Sequence, residues 1–570
     1  MASLYPKKVD GKTYWYLREM ARVDGTPKMV SERYLGTATD IAAAVEGGQA
    51  ALLPERTRHL AFGDVAAVWT MLNRLDVIGI IDAVTGGTVP GIGASIGTYL
   101  ALAALNRVVA PCSKAGFAGW WKTTAADRFT KIPTSVLDHR RFWDAMHAVT
   151  TEQLEEISSR ITLAMIEVFD LDTSALALDM TNFATYIDTA NPKAPIAQRG
   201  KAKQKRADLR LVGLGLVVTR DGGIPLVWHA YPGNRPDVTQ FAGVIDLLTD
   251  RYQALAARAT SPHAGISEVT VVFDAGQNST TNLAHLAGTG LHYVGSVPPS
   301  DHPDLLALPK SRRQPVDVER FPGVTALSTH REIYGAHRRV VLTHSPSLHT
   351  AQARGFDQTL AKATARLAVL ADTLARGKTR RHRDKVTAEI ESICHDTWVK
   401  RVITWELAGA TPAEYRLAFA LDTRARTTLE KEVFGKRILI TDHDDWPIAD
   451  IVTGYRSQSE VEFGFRQLKD PHVVSFSPMR HWTDHNIRVH VFTCVLALQI
   501  AHLMRRHAHE HGLALSVRAL LERLAGIGET VLIYPSTGGR PQARRMLTEQ
   551  DPDQHQLTQI FELDRWAPRS

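Results

Sequence analysis

Three carboxylates stand where a metal-dependent hydrolytic site would need them. Ala175–Leu178 is a short apolar run ending at Asp179, and the β-branched run Val269–Phe273 ends at Asp274. Each aspartate is therefore expected at the C-terminal end of a strand, where an open sheet presents side chains to a crevice. Two carboxylates held close together repel, and a site that keeps both ionised does so with a hard cation. A helix over 455–469 supplies the third. Val461, Phe465 and Leu468 have i, i+4, i+7 spacing and form the face packed on the sheet, which puts Glu462, Arg466 and Lys469 on the adjacent stripe. Tyr455 and Lys469 lie seven residues before and after Glu462, nearly two helical turns, so the three align with little drift. A carboxylate at the metals with cationic and phenolic groups along the same helix suits in-line displacement at a phosphodiester. One ion activates the attacking oxygen and the second stabilises the leaving one, which implies two Mg²⁺, with Mn²⁺ able to substitute. Taken singly, a strand-end aspartate is a cap and a helix glutamate a surface residue; the three together carry the reading.

The elements that must position these residues follow from periodicity and turn chemistry. After the Asp179 strand, Leu209–Thr219 and Ile224–Ala230 flank Asp221-Gly222-Gly223, a hairpin signal. An amphipathic helix follows with Val238, Phe241, Val244, Ile245 and Leu248 on one face, then the Asp274 strand, a short helix and the strand Leu291–Val297. A three-strand meander followed by parallel strands with crossover helices is the order of the RNase H fold. The fold class is accordingly α/β, with an RNase-H-like catalytic domain over 171–300 and 446–535. Residues 301–445 are expected to interrupt it as an α+β insertion with a basic strand Tyr334–Thr343, two long helices around Gly377, and strands Val399–Leu407, Tyr415–Leu421 and Arg437–Thr441. Residues 1–60 read as a small basic β region, with a hairpin of Thr13–Arg18 and Met29–Leu35 around Asp24-Gly25. Residues 61–170 read as a helical domain, either DNA-binding, with Trp120, Trp121, Lys122 and Arg128 as phosphate contacts, or a plain spacer. Residues 536–570 form a polar tail, loose at Gly538-Gly539-Arg540-Pro541.

Bulk properties agree with a large soluble protein. At 570 residues, 44% hydrophobic and 22% charged, the chain exceeds one core and predicts three or four domains. A net charge of +7 makes an acidic partner plausible without choosing one. Cys112, Cys394 and Cys494 are far apart with no CxxC pair, so neither a disulfide framework nor a thiolate zinc site is indicated and reduced thiols are expected. The residues after Met1 contain no apolar signal core, and Val489–Leu503, interrupted by His490 and Gln499, is too short for a bilayer. A cytoplasmic, nucleoid-associated, prokaryotic protein is expected.

Several motifs resemble those of insertion-sequence transposases. Asp179-Met180-Thr181 is similar to their first-aspartate motif, and Asp274-Ala275-Gly276-Gln277-Asn278-Ser279 to their second. Tyr455, Glu462 and Lys469 resemble the YREK signature of the IS-four superfamily, as do Pro232-Gly233-Asn234 and the run His481–Phe492. The signature's arginine is Gln458 here, and Arg456 and Arg466 flank it. The resemblance spans about 170 to 530. It implies a DDE transposase that cuts the terminal inverted repeats of its element and joins them to target DNA, by way of a hairpin in many relatives, as a homodimer on paired ends.

Basic segments add candidate DNA contacts: Lys201, Lys203, Lys205 and Arg206 with Arg210 near the first aspartate, and Arg376–Lys385 between the insertion helices. With Tyr455, Arg456, Arg466 and Lys469 these make up the expected DNA-binding set. Three alternatives stay open: a catalytically silent DNA-binding regulator derived from a transposase, a stand-alone RNase-H-like nuclease, and a metal-free recombinase using Tyr534 with the His485–Arg488 pair. The histidines at 507, 509 and 511 have no distant acidic partner and read as surface.

Overall fold

The computed structural model describes residues 2–23, 26–50, 53–91, 93–201, 208–258, 268–535 and 542–569. The chain gathers into two compact units, one of Met1–Arg74, Cys112–Phe142 and His507–Ser570, the other of Leu75–Pro111 and Trp143–Arg506.

A mixed nine-stranded sheet organises the second unit. Its strands are β1 (Ala175–Ala184), β2 (Leu211–Thr219), β3 (Pro225–Pro232), β4 (Thr270–Phe273), β5 (His292–Val297), β6 (Gln314–Pro315), β7 (Thr325–Ile333), β8 (Ala336–His344) and β9 (Lys436–Thr441). They lie in the order β6-β7-β8-β9-β5-β4-β1-β2-β3. β1, β2 and β3 form an antiparallel meander, while β4 runs parallel to β1 and β5 parallel to β4. Helix α1 (Phe241–Arg258) crosses over between β3 and β4, and α2 (Thr280–Ala287) between β4 and β5. Phe241, Val244, Ile245 and Leu248 of α1 are fully buried, as their helical spacing demands. Gly223 takes a positive φ of 63° in the β2–β3 turn, a backbone setting that the Gly-Gly pair supplies at no steric cost.

The structure departs from expectation at several points. β1 does not stop at Asp179. The parallel ladder with β4 ends at Leu178 opposite Phe273, but the antiparallel ladder with the longer β2 runs on to Ala184 opposite Leu211, so Asp179 is mid-strand. Within the expected 301–445 insertion, Ile403–Ala408 and Arg416–Leu421 form a two-stranded sheet of their own, while four other strands join the central sheet. These strands, β6 to β9, extend the central sheet, with Ile438 of β9 opposite Val297 of β5, because an uncovered edge strand is a ready template for pairing. β7 was not apparent in the sequence, and Thr397–Val402 is helical, the strand beginning only at Ile403. The long helices are α3 (Pro346–Ala375) and Arg383–Ile393.

The expected helix over 455–469 is two helices, α4 (Ile448–Arg456) and α5 (Gln458–Leu468). Ser457 breaks it: its N–H bonds to Gly454 O at 3.0 Å and its hydroxyl to the same carbonyl at 2.6 Å, a local bond that competes with the helical ladder. Val461, Phe465 and Leu468 of α5 are buried, and α5 packs on β1 and β2. Helix α6 (Asp484–Glu510) is longer than the sequence suggests. By length and composition it could cross a membrane, yet 94% of its apolar window is buried, as in a core helix.

The first unit holds a three-stranded antiparallel sheet of Ala2–Val9, Lys12–Val23 and Thr26–Gly36, one strand more than the expected hairpin; its turn residues Asp24 and Gly25 lie outside the described residues. A second sheet pairs Arg56–Ala61 with Gly528–Tyr534 and the latter with Gln542–Leu547. The expected boundary at 60 therefore falls inside a strand and that at 535 between two paired strands, whereas 170 falls between the helix Thr151–Phe169 and β1. Arg128 gives a 2.6 Å ion pair to Glu529, whose side chain is fully buried, and Trp121 is wholly enclosed. Both are structural, not phosphate contacts. Gly538-Gly539-Arg540-Pro541 lie outside the described residues.

Candidate active site

The sheet register brings the two aspartates together. Leu178 and Phe273 are the last parallel partners of β1 and β4, so Asp179 and Asp274 are the next residues on neighbouring strands, which run roughly 4.8 Å apart. Asp274 is exposed and Asp179 half-buried.

Asp274 is held on one oxygen. Its Oδ1 accepts the Ala275 N–H at 2.7 Å and the Ser296 hydroxyl at 2.8 Å. The Tyr455 hydroxyl donates toward the same pair, 3.1 Å from Ser296 Oγ and 3.3 Å from Asp274 Oδ1. Oδ2 has no hydrogen-bond partner among the described residues. This differs from the expected role of Tyr455. The residue sits on α4, not on the helix of Glu462; it is 7% exposed and packs in a core with Val272, Val294 and Leu439. Burial raises its pKa, and Asp274 adds to that against Arg437, which lies over the ring at 4.8 Å. The phenol therefore stays protonated and serves as a donor that orients Asp274.

Glu462 projects from the exposed side of α5 without a hydrogen bond or ion pair to the described residues. It shares a cleft of about 570 Å³ with Asp274, Ser296, Arg437, Arg456 and Gln458. Gln458, at the signature's arginine position, is buried and donates through Nε2 to Leu178 O at 3.0 Å. It thus ties the start of α5 to the residue before Asp179, and its Oε1 meets no donor among the described residues.

The cations distribute unevenly. Arg456 lines the cleft with its guanidinium over the Phe321 ring at 4.4 Å. Arg466 is exposed, its guanidinium 5.8 Å from the Phe463 ring. Lys469 caps α5 and donates to Thr181 Oγ1 at 2.9 Å, two residues beyond Asp179. Lys201 is exposed, and its carbonyl accepts from Asn182 at 3.1 Å; Lys203, Lys205 and Arg206 lie outside the described residues. Arg210 is buried and bonded to the Asn191 carbonyl at 2.8 Å, so it braces a loop and does not face a ligand. In 376–385, Arg381 pairs with Glu389 and Arg383 bonds to Gly409 O at 2.8 Å. Arg488 is paired with Asp484 at 3.0 Å, and His485 bonds to Met146 O at 2.9 Å. Ser296, Lys436 and Arg437 were missed in the sequence. Arg437 lies at the start of β9, before its apolar residues, and only the pairing of β9 with β5 shows that it reaches the site.

The donor set fits hard divalent ions: three carboxylates, two with uncommitted oxygens, and no sulfur or imidazole among them. The ligand atoms of these three do not all fall within 4.8 Å of one another. Among the described residues the trio that does is His292, Asp442 and His443, at the other end of the sheet.

No protein-family model matches the chain, and no curated protein matches it. Among solved structures the chain is similar to a piggyBac transposase in a synaptic complex with hairpin DNA, at 8% identity and a TM-score of 0.34, over 83% of this chain and 82% of that one. A likeness this slight defines neither fold nor chemistry, and the site rests on its own geometry.

Proposed function

We propose that the chain is a DNA transposase of the DDE class with an RNase-H-like catalytic core, which cleaves the ends of its element and joins them to target DNA. The observation that carries this is the register: the meander β3-β2-β1 followed by parallel β4 and β5 sets Asp179 beside Asp274 at the end of the parallel ladder. In this reading Asp179, Asp274 and Glu462 would hold two Mg²⁺, or Mn²⁺ in their place. Bound there, the ions supply Lewis acidity that lowers the pKa of the attacking water and stabilises the leaving oxygen.

The chain's own residues do the rest. Ser296 and Tyr455 keep Asp274 in one orientation, so its free oxygen is preset. Gln458 fixes α5, and with it Glu462, to β1. Arg437 and Arg456 draw a phosphodiester into the cleft and neutralise part of its charge, while Arg466 and Lys469 extend the cationic face along and beyond α5. Double-stranded DNA carrying the terminal inverted repeats is the substrate, a homodimer on paired ends the working form, and the cytoplasm the compartment. The motif resemblance to the IS-four superfamily supports the same assignment.

The test is cleavage of end-labelled linear DNA carrying the flanking element's terminal repeats, with Mg²⁺ or Mn²⁺, against EDTA and Asp274→Ala. Metal-dependent nicks or hairpins that vanish in the variant are expected. Binding without cleavage under any metal would replace the enzyme with a silent DNA-binding regulator.

A further inference from the structure

Across the strands that extend the catalytic sheet, one row of residues is set by register. Pro315 of β6 is opposite Thr325 of β7, Thr325 opposite His344 of β8, and His344 opposite Lys436 of β9. Directly opposed residues share a face of the sheet, and Arg313, two residues before Pro315 in extended backbone, falls on that face too. The row lies at the same end of the sheet as Asp274, because Lys436 both begins β9 and lines the cleft with Asp274 and Glu462.

This row is cationic and incompletely partnered. Nε and Nη1 of Arg313 are shielded from solvent with no hydrogen-bond partner among the described residues, and so is Thr325 Oγ1. Lys436 is 7% exposed and gives Nζ to Leu306 O at 2.7 Å. His344 is surrounded by Arg313, His349, Lys310 and Lys436; burial first, then these like charges, hold its imidazole down to about 4. Of the nearby carboxylates, Glu432 pairs with Arg401 at 2.6 Å and offsets Lys436 only at longer range, and Glu430 pairs with Arg426 at 2.6 Å and with His349 at 3.4 Å, so neither bonds to Arg313 or Lys436. Unanswered N–H groups and clustered cations cost stability, and an anion with several acceptor oxygens would relieve that cost. Arg313 keeps part of its side chain exposed, and no hydrogen bond from the described residues holds its Nε or Nη1.

We propose that Arg313, His344 and Lys436, with the Thr325 hydroxyl, form a second phosphate-binding site that takes the backbone of the DNA strand leading away from the carboxylates. It rests on the DNA reading above. From β9 to β6 the rim spans three strand spacings, roughly 14 Å, or about four base steps of a duplex.

The test measures binding of a fluorescein-labelled 30-base-pair duplex, holding the terminal repeat and its flank, to the full Asp274→Ala chain between 50 and 200 mM salt. Each lost phosphate contact lowers the slope of log K against log salt by about 0.9. Arg313→Met is expected to lower it by about one and Arg313→Met/Lys436→Gln by about two, with Arg313→Lys restoring the first loss. Arg313→Met should melt at or above the temperature of the parent, since it removes an unanswered cation. An unchanged slope in Arg313→Met, or weaker binding that tracks a lowered melting temperature, overturns the site while leaving the transposase reading intact. A parent chain with no affinity for the duplex overturns both.

Discussion

The two ends of the central sheet each gather side chains able to ligate a metal and differ in what those side chains have left over. At the start of β4 and β5, His292 Nδ1 meets Asp442 Oδ2 at 3.0 Å, Asp442 Oδ1 accepts the Tyr293 N–H at 2.9 Å, and His443 Nε2 bonds to Thr270 Oγ1 at 2.8 Å. His443 also stacks on Trp446, ring centres 3.7 Å apart. This trio is the tighter one, yet most of its donor atoms are used by the chain itself. At the other end, among the described residues, Asp274 is braced on one oxygen and open on the second, and Glu462 is open on both. Proximity alone therefore does not mark a metal centre; uncommitted, oriented lone pairs do.

The comparison breaks most decisively in a cleavage assay. Asp179→Asn, Asp274→Asn and Glu462→Gln should each reduce metal-dependent cleavage by roughly a thousand-fold or more, the scale of removing a group that acts in the transition state. His292→Ala and His443→Ala should stay within about two-fold of the parent. A histidine variant as inactive as Asp274→Asn would reverse the assignment of the two ends. Next in size, Tyr455→Phe and Ser296→Ala should slow cleavage by about 10- to 100-fold, as loss of a partner that orients a ligand does. If both variants cleave at the parental rate, the bracing of Asp274 has no catalytic role. Smaller again, Mn²⁺ should raise the melting temperature of the parent chain and of Asp442→Asn, but not of Asp179→Asn/Asp274→Asn. A metal shift abolished by Asp442→Asn would move the ions to the histidine end.

The smallest effect concerns acid. Burial holds His443 down to about 4, against the pull of Asp442, whereas an unfolded histidine titrates near about 6.5. Between those values the unfolded chain binds the extra proton, so stability is lost as pH falls through that window. His443→Gln should remove part of this loss, narrowing the acid-side drop in melting temperature by about 2–4 °C. An identical acid limb in the variant would show that the imidazole titrates normally.

Much of the site was legible because turn chemistry and strand length are local signals. Asp221-Gly222-Gly223 marked the meander, and the apolar runs before Asp179 and Asp274 marked the parallel pair, so the positions that meet could be named in advance. What failed was what depends on distant partners. The end of β1 is set by the length of β2, and the break at Ser457 by a hydroxyl bond that periodicity does not register. Tyr455 has the spacing of a surface stripe but is enclosed by Val294 and Leu439, which come from strands over a hundred residues upstream and just before it. The extension of the sheet by β6 to β9 was hidden because Val399–Val402 mimics a strand and β7, Thr325–Ile333, mixes apolar, polar and charged residues.

The sheet of the first unit has a consequence for the order in which the chain is made. Arg56–Ala61 waits for Gly528–Tyr534, with His59 and its partner Thr530 separated by 471 positions. At ribosomal speeds of about 5–20 residues per second, that strand spends roughly half a minute or more with its hydrogen-bonding edge unsatisfied. Its sequence, Arg-Thr-Arg-His-Leu-Ala, places two arginines and a histidine along that edge, the kind of charge that keeps an open strand from pairing with a neighbouring nascent chain. The second unit can thus close first on the ribosome, and the first only after Gly528–Tyr534 has emerged.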